Sequence, residues 1–211
     1  MSITPGIAHG ILWISYALYV FCFLPQVFTN HKIQSVQGLS ELTIFLYLFG
    51  YLTEIPYVFF LDQPLACKVM MPMGAVVALL LAVQHVYFEP DRARKLRTAL
   101  HYGGITLAVG LLSLCGFWHP HIVGNIAGWI CVVLWITYQI PQVIKVFRSK
   151  SVEGFNPWMV SLVGLGAAME IIAALTIPLP VQTLFNGIRA FCMAGIFAAQ
   201  FLAYREKGKC A

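Results

Sequence analysis

An all-α integral membrane fold follows from three observations: seven transmembrane helices, as two parallel three-helix bundles joined by a linker helix. First, the 211 residues are 60% hydrophobic and only 10% charged, with a mean hydropathy of +0.81. A soluble domain averages roughly 25% charged, so this chain could not cover itself with a polar surface. Second, the basic residues fall in alternate loops. Third, the chain repeats itself: LPQV at Leu24 returns as IPQV at Ile140, and Ser-Val-x-Gly at Ser35 returns at Ser151, both at an offset of 116 positions. Self-similarity at a fixed spacing marks a repeated structural unit.

A bilayer core of about 30 Å takes roughly 20 apolar residues per helix. The first such span, about 6–29, lacks a basic leader and a cleavage site, so it is expected to be retained rather than removed as a signal peptide. The second, about 40–61, opens after the Ser35-Val36-x-Gly38 turn and carries Glu54. The third, about 65–88, follows Pro64. The fourth, about 97–117, holds Gly103, Gly104 and Gly110 and no charge after Arg97 and His101. The fifth, about 121–147, contains the second Pro-Gln. The sixth, about 157–177, opens on Pro157, as a first-turn proline can. The seventh, about 182–204, ends before Arg205.

With seven spans, Lys32, the group Arg92, Arg94, Lys95 and Arg97, the group Lys145, Arg148 and Lys150, and the group Arg205, Lys207 and Lys209 all share one side. The opposite loops, 61–65, 117–121 and 177–182, hold no Lys or Arg. Short basic loops stay cytoplasmic. The N-terminus is therefore expected outside or in a lumen, and the C-terminus in the cytoplasm.

The same offset pairs Trp13 with Trp129, Gly50 with Gly166, Glu54 with Glu170, Pro64 with Pro180 and Gln84 with Gln200. The expected domains are a first repeat, 1–89; a basic loop with the linker helix, 90–120; a second repeat, 121–205; and a cytoplasmic tail, 206–211. Three spans is an odd number, so the linker lets both repeats cross in the same direction. Parallel repeats are related by an axis along the membrane normal, with the substrate site near the midplane between them.

The doubled Pro-Gln followed by Ser-Val-x-Gly, on a 3+1+3 plan, resembles the PQ-loop repeat family. That family includes cystinosin-like amino-acid exporters and is related to the SWEET sugar facilitators. The resemblance implies a SWEET-like fold and transport of a small polar solute, an amino acid or related metabolite, by alternating access. It implies that Pro25 and Pro141 are hinges. Three departures from the family patterns stand out. Positions where cystinosin-like proteins carry coupling aspartates hold Leu42 and Val163, and Glu41 stands where the SWEET pattern would repeat the proline of Pro157. The SWEET sugar-binding asparagine of the last helix aligns with Ala190, one turn from Asn186.

From the residues themselves, a proline within a helix removes one backbone bond and kinks it. Gln26 and Gln142 could satisfy the freed backbone or cap a substrate. Intramembrane ionisable residues are costly and mark functional sites. Here they are Glu54, Glu170, Arg189 and, near an outer end, Lys68. Matching depths predict a Glu170–Arg189 ion pair. Glu54 is expected to pair with Lys68 or to be held protonated, and protons are a candidate coupling ion. Trp13, Trp129 and Asn186 are candidate cavity residues at a similar level.

The six cysteines form no C-x-x-C and read as small buried hydrophobes. His119-Pro-His121 has weak metal spacing, and no metal or cofactor is expected. Nucleotide loops, catalytic dyads and H-E-x-x-H are missing from the sequence, so no enzyme is expected. The net charge of +5 lies in membrane-flanking loops and not on a nucleic-acid face. Lipid is the expected environment, and a homo-oligomer is compatible with everything above. Alternative functions are a sugar facilitator and a cargo receptor resembling the KDEL receptor, in which Arg189 would catch a carboxylate. With no N-x-S/T sequon and no lumenal domain before the first span, the expectation leans to a bacterial inner membrane over a lysosomal or vacuolar one.

Overall fold

A computed structural model describes residues 5–36, 38–177 and 181–204. Pro180, Cys210, Arg205, Lys207, Lys209 and the tail 206–211 lie outside the described residues. So do both chain ends, Met1 and Ala211.

The described chain forms α1 (Pro5–Phe21), α2 (Leu24–Ile33), α3 (Glu41–Phe60), α4 (Leu65–Phe88), α5 (Arg92–Gly116), α6 (Pro120–Thr137), α7 (Ile140–Ser149), α8 (Pro157–Thr176) and α9 (Val181–Tyr204). Seven spans result, because α1 with α2 and α6 with α7 are each one apolar run broken in the middle. The breaks have a local cause. Proline has no N–H and its ring clashes with the carbonyl four residues earlier. Pro25 and Pro141 sit in the first turn of α2 and α7, and the preceding helices stop at Phe21 and Thr137, each four residues before its proline. The linker starts earlier than expected. Asp91 accepts hydrogen bonds from the Ala93 and Arg94 amides, an N-cap, so the basic stretch Arg92–Arg97 forms the first turns of α5 instead of a loop.

Spans one and three run away from the N-terminal end, and span two returns; the second half repeats this path. In the first half α4 packs against both α3 and α1, and in the second α9 packs mainly on α8. The halves meet through two helix pairs, α1 with α8 and α3 with α6. Small residues allow these close approaches, as they do generally between membrane helices. Gly128 lies under the Tyr57 ring, Gly50 under Trp135, and Gly166 against Ser15 and Leu18. The linker α5 lies outside, on α3, α4 and α6. It is tied there by His85 Nδ1 with the Tyr102 hydroxyl at 2.7 Å and by the Thr98 hydroxyl donating to Glu41 at 3.4 Å.

Candidate functional site

Both Pro-Gln motifs lie at one end of the bundle, and their glutamines reach across to the opposite half. Gln26 Nε2 donates to the Gly154 carbonyl at 2.8 Å, and its Oε1 accepts from the Asn156 amide at 2.8 Å. Gln142 Nε2 donates to the Gly38 carbonyl at 2.9 Å, and its Oε1 accepts from the Ser40 amide at 2.6 Å. Gly38 and Gly154, like Ser40 and Asn156, are equivalent under the 116-residue offset, so one hydrogen-bonded clasp is made twice. Both glutamine side chains are buried. They bind backbone groups of the opposite half and not their own proline's freed carbonyl, which corrects the first of the two roles expected from sequence. Their partners are loop amides and carbonyls that would otherwise be buried without a bond.

The glycines of Ser-Val-x-Gly explain themselves here. A Cβ on Gly38 would lie 2.1 Å from the Gly154 carbonyl oxygen. Gly154 itself has φ +71°, a left-handed conformation natural to glycine. The two loops therefore touch backbone to backbone. Further bonds are unequal: Asn156 Nδ2 donates to the Thr29 hydroxyl at 2.7 Å and to the Pro25 carbonyl at 3.1 Å, while Lys145 donates to the Leu39 carbonyl. Behind the clasp, Gln84 and Gln200 hold the Val27 and Val143 carbonyls, each at 3.0 Å.

One layer deeper lies an aromatic plug. The Tyr47 ring of α3 lies tilted against that of Phe23, centroids 4.1 Å apart, and Phe23 sits in the break of the first span. Tyr47 and Tyr51 are 4.9 Å apart, Tyr51 and Trp135 5.0 Å, and Trp135 and Tyr138 5.2 Å. Tyr47, Tyr51, Tyr138 and Phe23 are all buried.

Seven residues further along α3 from Tyr47, about 10 Å at the helical rise, the polar level begins. Trp135 Nε1 donates to Glu54 Oε2 at 2.9 Å, and the Tyr19 hydroxyl donates to Glu170 Oε2 at 2.7 Å. Tyr19 and Trp135 are again 116 positions apart. Each half thus supplies one carboxyl, and the other half supplies its aromatic donor. Beneath them the Ser15 hydroxyl donates to the Gly166 carbonyl at 2.9 Å, and at the equivalent place Cys131 Sγ stands 3.9 Å from the Gly50 carbonyl.

The second half adds a polar chain that the first lacks. Asn186 Nδ2 donates to both Glu170 oxygens, at 3.4 and 3.3 Å. Its Oδ1 accepts from Arg189 Nη2 at 2.9 Å, and Arg189 Nη1 donates to Gln139 Oε1 at 3.2 Å. The guanidinium lies 5.7 Å from the Tyr138 ring centroid. The equivalents of Asn186, Arg189 and Gln139 are Met70, Met73 and Phe23, so no such chain can form on the other side.

The structure therefore joins Glu54, Glu170, Asn186 and Arg189 in one region but corrects two pairings. Among the described residues the ion pairs are Lys68 with Asp62 and Arg94 with Glu89. Glu170 and Arg189 are separated by the Asn186 amide, which bonds both. Lys68 turns outward to Asp62, whose carboxyl it holds below the usual aspartate range, leaving Glu54 to Trp135. Trp129 is 71% exposed and stands on the outside of the bundle, away from the carboxyls. Trp13 is half-buried and is not hydrogen-bonded to the polar level. Tyr19, Trp135 and Gln139 were missed. The offset links Tyr19 to Trp135, but the residues differ in type, so a search for identical pairs passes over them.

A family model, PQ loop repeat, matches residues 7–66 and again residues 123–183, together more than half of the chain. The chain belongs to the PQ-loop repeat family. The two matched segments hold the first two spans of each half, with both Pro-Gln motifs and both carboxyls, and stop at the start of α4 and α9. The fold is similar to a solved structure, that of a eukaryotic SWEET transporter, with a TM-score of 0.73 and 16% sequence identity over 95% of this chain and 98% of that one. The family, the fold and seven helices long and apolar enough to cross a bilayer together make this PQ-loop protein an integral membrane protein.

Proposed function

We propose that this PQ-loop protein moves a small polar solute, an amino acid or related metabolite, across its membrane by alternating access. The observation that carries the reading is the doubled exchange of bonds between halves at two levels. One is a clasp at the Pro-Gln end, beside a helix break in each half. The other is a carboxyl level that an aromatic plug separates from the clasp. Rocking one half against the other about the breaks at Pro25 and Pro141 would open the clasp and move the plug without disturbing either bundle. Lys32, Arg94, Lys95, Lys145, Arg148 and Lys150 lie at the Pro-Gln end, which supports a cytoplasmic placement of that end under the positive-inside tendency. On that reading the conformation described is closed toward the cytoplasm, with the start of α1 on the far side. Glu54 and Glu170 are the groups through which a proton would couple.

Reconstitution into proteoliposomes with a panel of amino acids and sugars tests the proposal. Saturable uptake of an amino acid, reduced by Gln26→Leu, supports it. Uptake of sugars alone would replace the substrate class. Tight binding of a solute or peptide with no flux would replace the transporter by a receptor. Tags at the two termini labelled from the same side would overturn the topology.

A further inference from the structure

The polar level is one-handed although the scaffold around it is two-fold, and the excess polarity centres on a cation. Arg189 presents five N–H donors. Two are engaged, both by neutral amide oxygens, those of Asn186 and Gln139. No carboxylate lies within ion-pair distance of it among the described residues. The nearest acid along the chain of bonds, Glu170, is buried, and the Tyr19 hydroxyl and the Asn186 amide already occupy its oxygens. Asn186 is thus a spacer. It holds Glu170 and Arg189 apart where a direct pair would have consumed the guanidinium fork.

Arg189 remains partly accessible, as does Asn186, while Gln139, Tyr138 and Ala190 behind them are buried. The open part of the fork therefore faces away from the packed wall. A cation in this position lacks an anion, and the partners it has are the exchangeable kind. Guanidinium bonds to a carboxylate are charge-assisted and can be bidentate, so they outcompete bonds to neutral amides.

We infer that Arg189, backed by Asn186, Gln139 and the Tyr138 ring, is a receptor for the carboxylate of the transported solute. The recognised group is the carboxylate and not an amine or a sugar hydroxyl, so 2-oxo and 2-hydroxy acids share the site with amino acids. The remainder of the solute points toward the first half, where the equivalent positions are Met70, Met73, Cys22 and Phe23. This rests on the transporter reading for the word transported, but the binding claim stands apart from it.

The test uses the full chain purified in detergent, with four three-carbon or sugar probes: L-alanine, pyruvate, L-alaninol and glucose. Binding is read by the shift in melting temperature and by quenching of tryptophan fluorescence. L-alanine and pyruvate are expected to bind, and L-alaninol and glucose at least tenfold more weakly. Arg189→Met should remove binding of both acids, and Arg189→Lys should retain it at reduced affinity, which guards against a Met variant that merely misfolds. Equal binding of L-alaninol, unchanged binding of pyruvate in a folded Arg189→Met protein, or no binding of either acid overturns the inference. Binding of the acids without flux in proteoliposomes sinks the transporter reading and leaves the carboxylate receptor in place.

Discussion

The Pro-Gln end and the polar level sit on the same two-fold relation and use it differently. At the Pro-Gln end the central bonds are identical on both sides, glutamine to glycine carbonyl and loop amide to glutamine. At the polar level only the carboxyl and its aromatic partner recur, and the second half alone adds Asn186, Arg189 and Gln139. A gate that opens by relative motion of two halves needs equal grip on each. A small solute has no two-fold axis, so its binding wall need not have one. Symmetry is retained where the two halves hold each other and lost where, on the proposed reading, they hold something else.

The largest expected effect breaks the symmetric region. Gly38→Ala places a methyl 2.1 Å from a backbone oxygen that cannot swing away. Overpacking of this kind costs about 1–3 kcal/mol. Gly154→Ala forces alanine to φ +71°, which costs about 1–3 kcal/mol as well. Both variants should lower the melting temperature in detergent and abolish uptake. A wild-type melting temperature for Gly38→Ala would mean that the loops do not meet as described.

Next come the glutamines. Gln26→Leu orphans the Gly154 carbonyl and the Asn156 amide, and Gln142→Leu orphans the Gly38 carbonyl and the Ser40 amide. A buried unsatisfied group costs about 1–3 kcal/mol. Opening the clasp should also expose the neighbourhood of Phe23, where the native Cys22 is 1% exposed. Thiol labelling of Cys22, read by peptide mass spectrometry, should rise at least tenfold in either variant. A rise in one variant and none in the other would break the equivalence of the two halves.

The prolines rank third. Pro25→Ala with Pro141→Ala restores the missing backbone donors, so the protein should remain folded and insert normally. Uptake should fall about tenfold or more if the breaks are hinges. Unchanged uptake would reduce them to fixed kinks.

Much of this architecture is legible before folding because it is written in identities. The spans follow from hydropathy, the breaks from proline's missing donor, and the repeat from a constant offset. The candidate residues Glu54, Glu170, Asn186 and Arg189 stand out as polar groups where lipid demands apolar ones. What they bond to is not legible in the same way. Matching depth made Glu170 and Arg189 partners, but depth fixes height and not azimuth, and Asn186, one turn before Arg189 on α9, fills the gap. Trp129 has the right depth and points outward. The glutamine clasp was hidden because its partners are backbone atoms, which carry no sequence signature beyond the glycines that let them approach.

The smallest expected effect separates the two carboxyl sites. Tyr19→Phe and Trp135→Phe remove equivalent donors, so a strictly two-fold site would respond equally to both. Tyr19→Phe deletes one hydroxyl and leaves Glu170 its amide donors from Asn186. Trp135→Phe deletes the indole donor of Glu54, and Met70 stands where an asparagine would be needed as a substitute. It also removes ring volume from the plug. A single hydrogen bond is worth about 0.5–1.5 kcal/mol net, or about 1.5–3 kcal/mol when one partner is charged. Tyr19→Phe should therefore lie near the lower figure and Trp135→Phe should exceed it, both read from melting in detergent. Adding Asn186→Ala to Tyr19→Phe removes the second donor as well, so the double variant should lose more than the two single losses combined. Strict additivity, or a larger effect at Tyr19 than at Trp135, would show that Asn186 does not hold Glu170, and with it would fall the account of why Arg189 is left open.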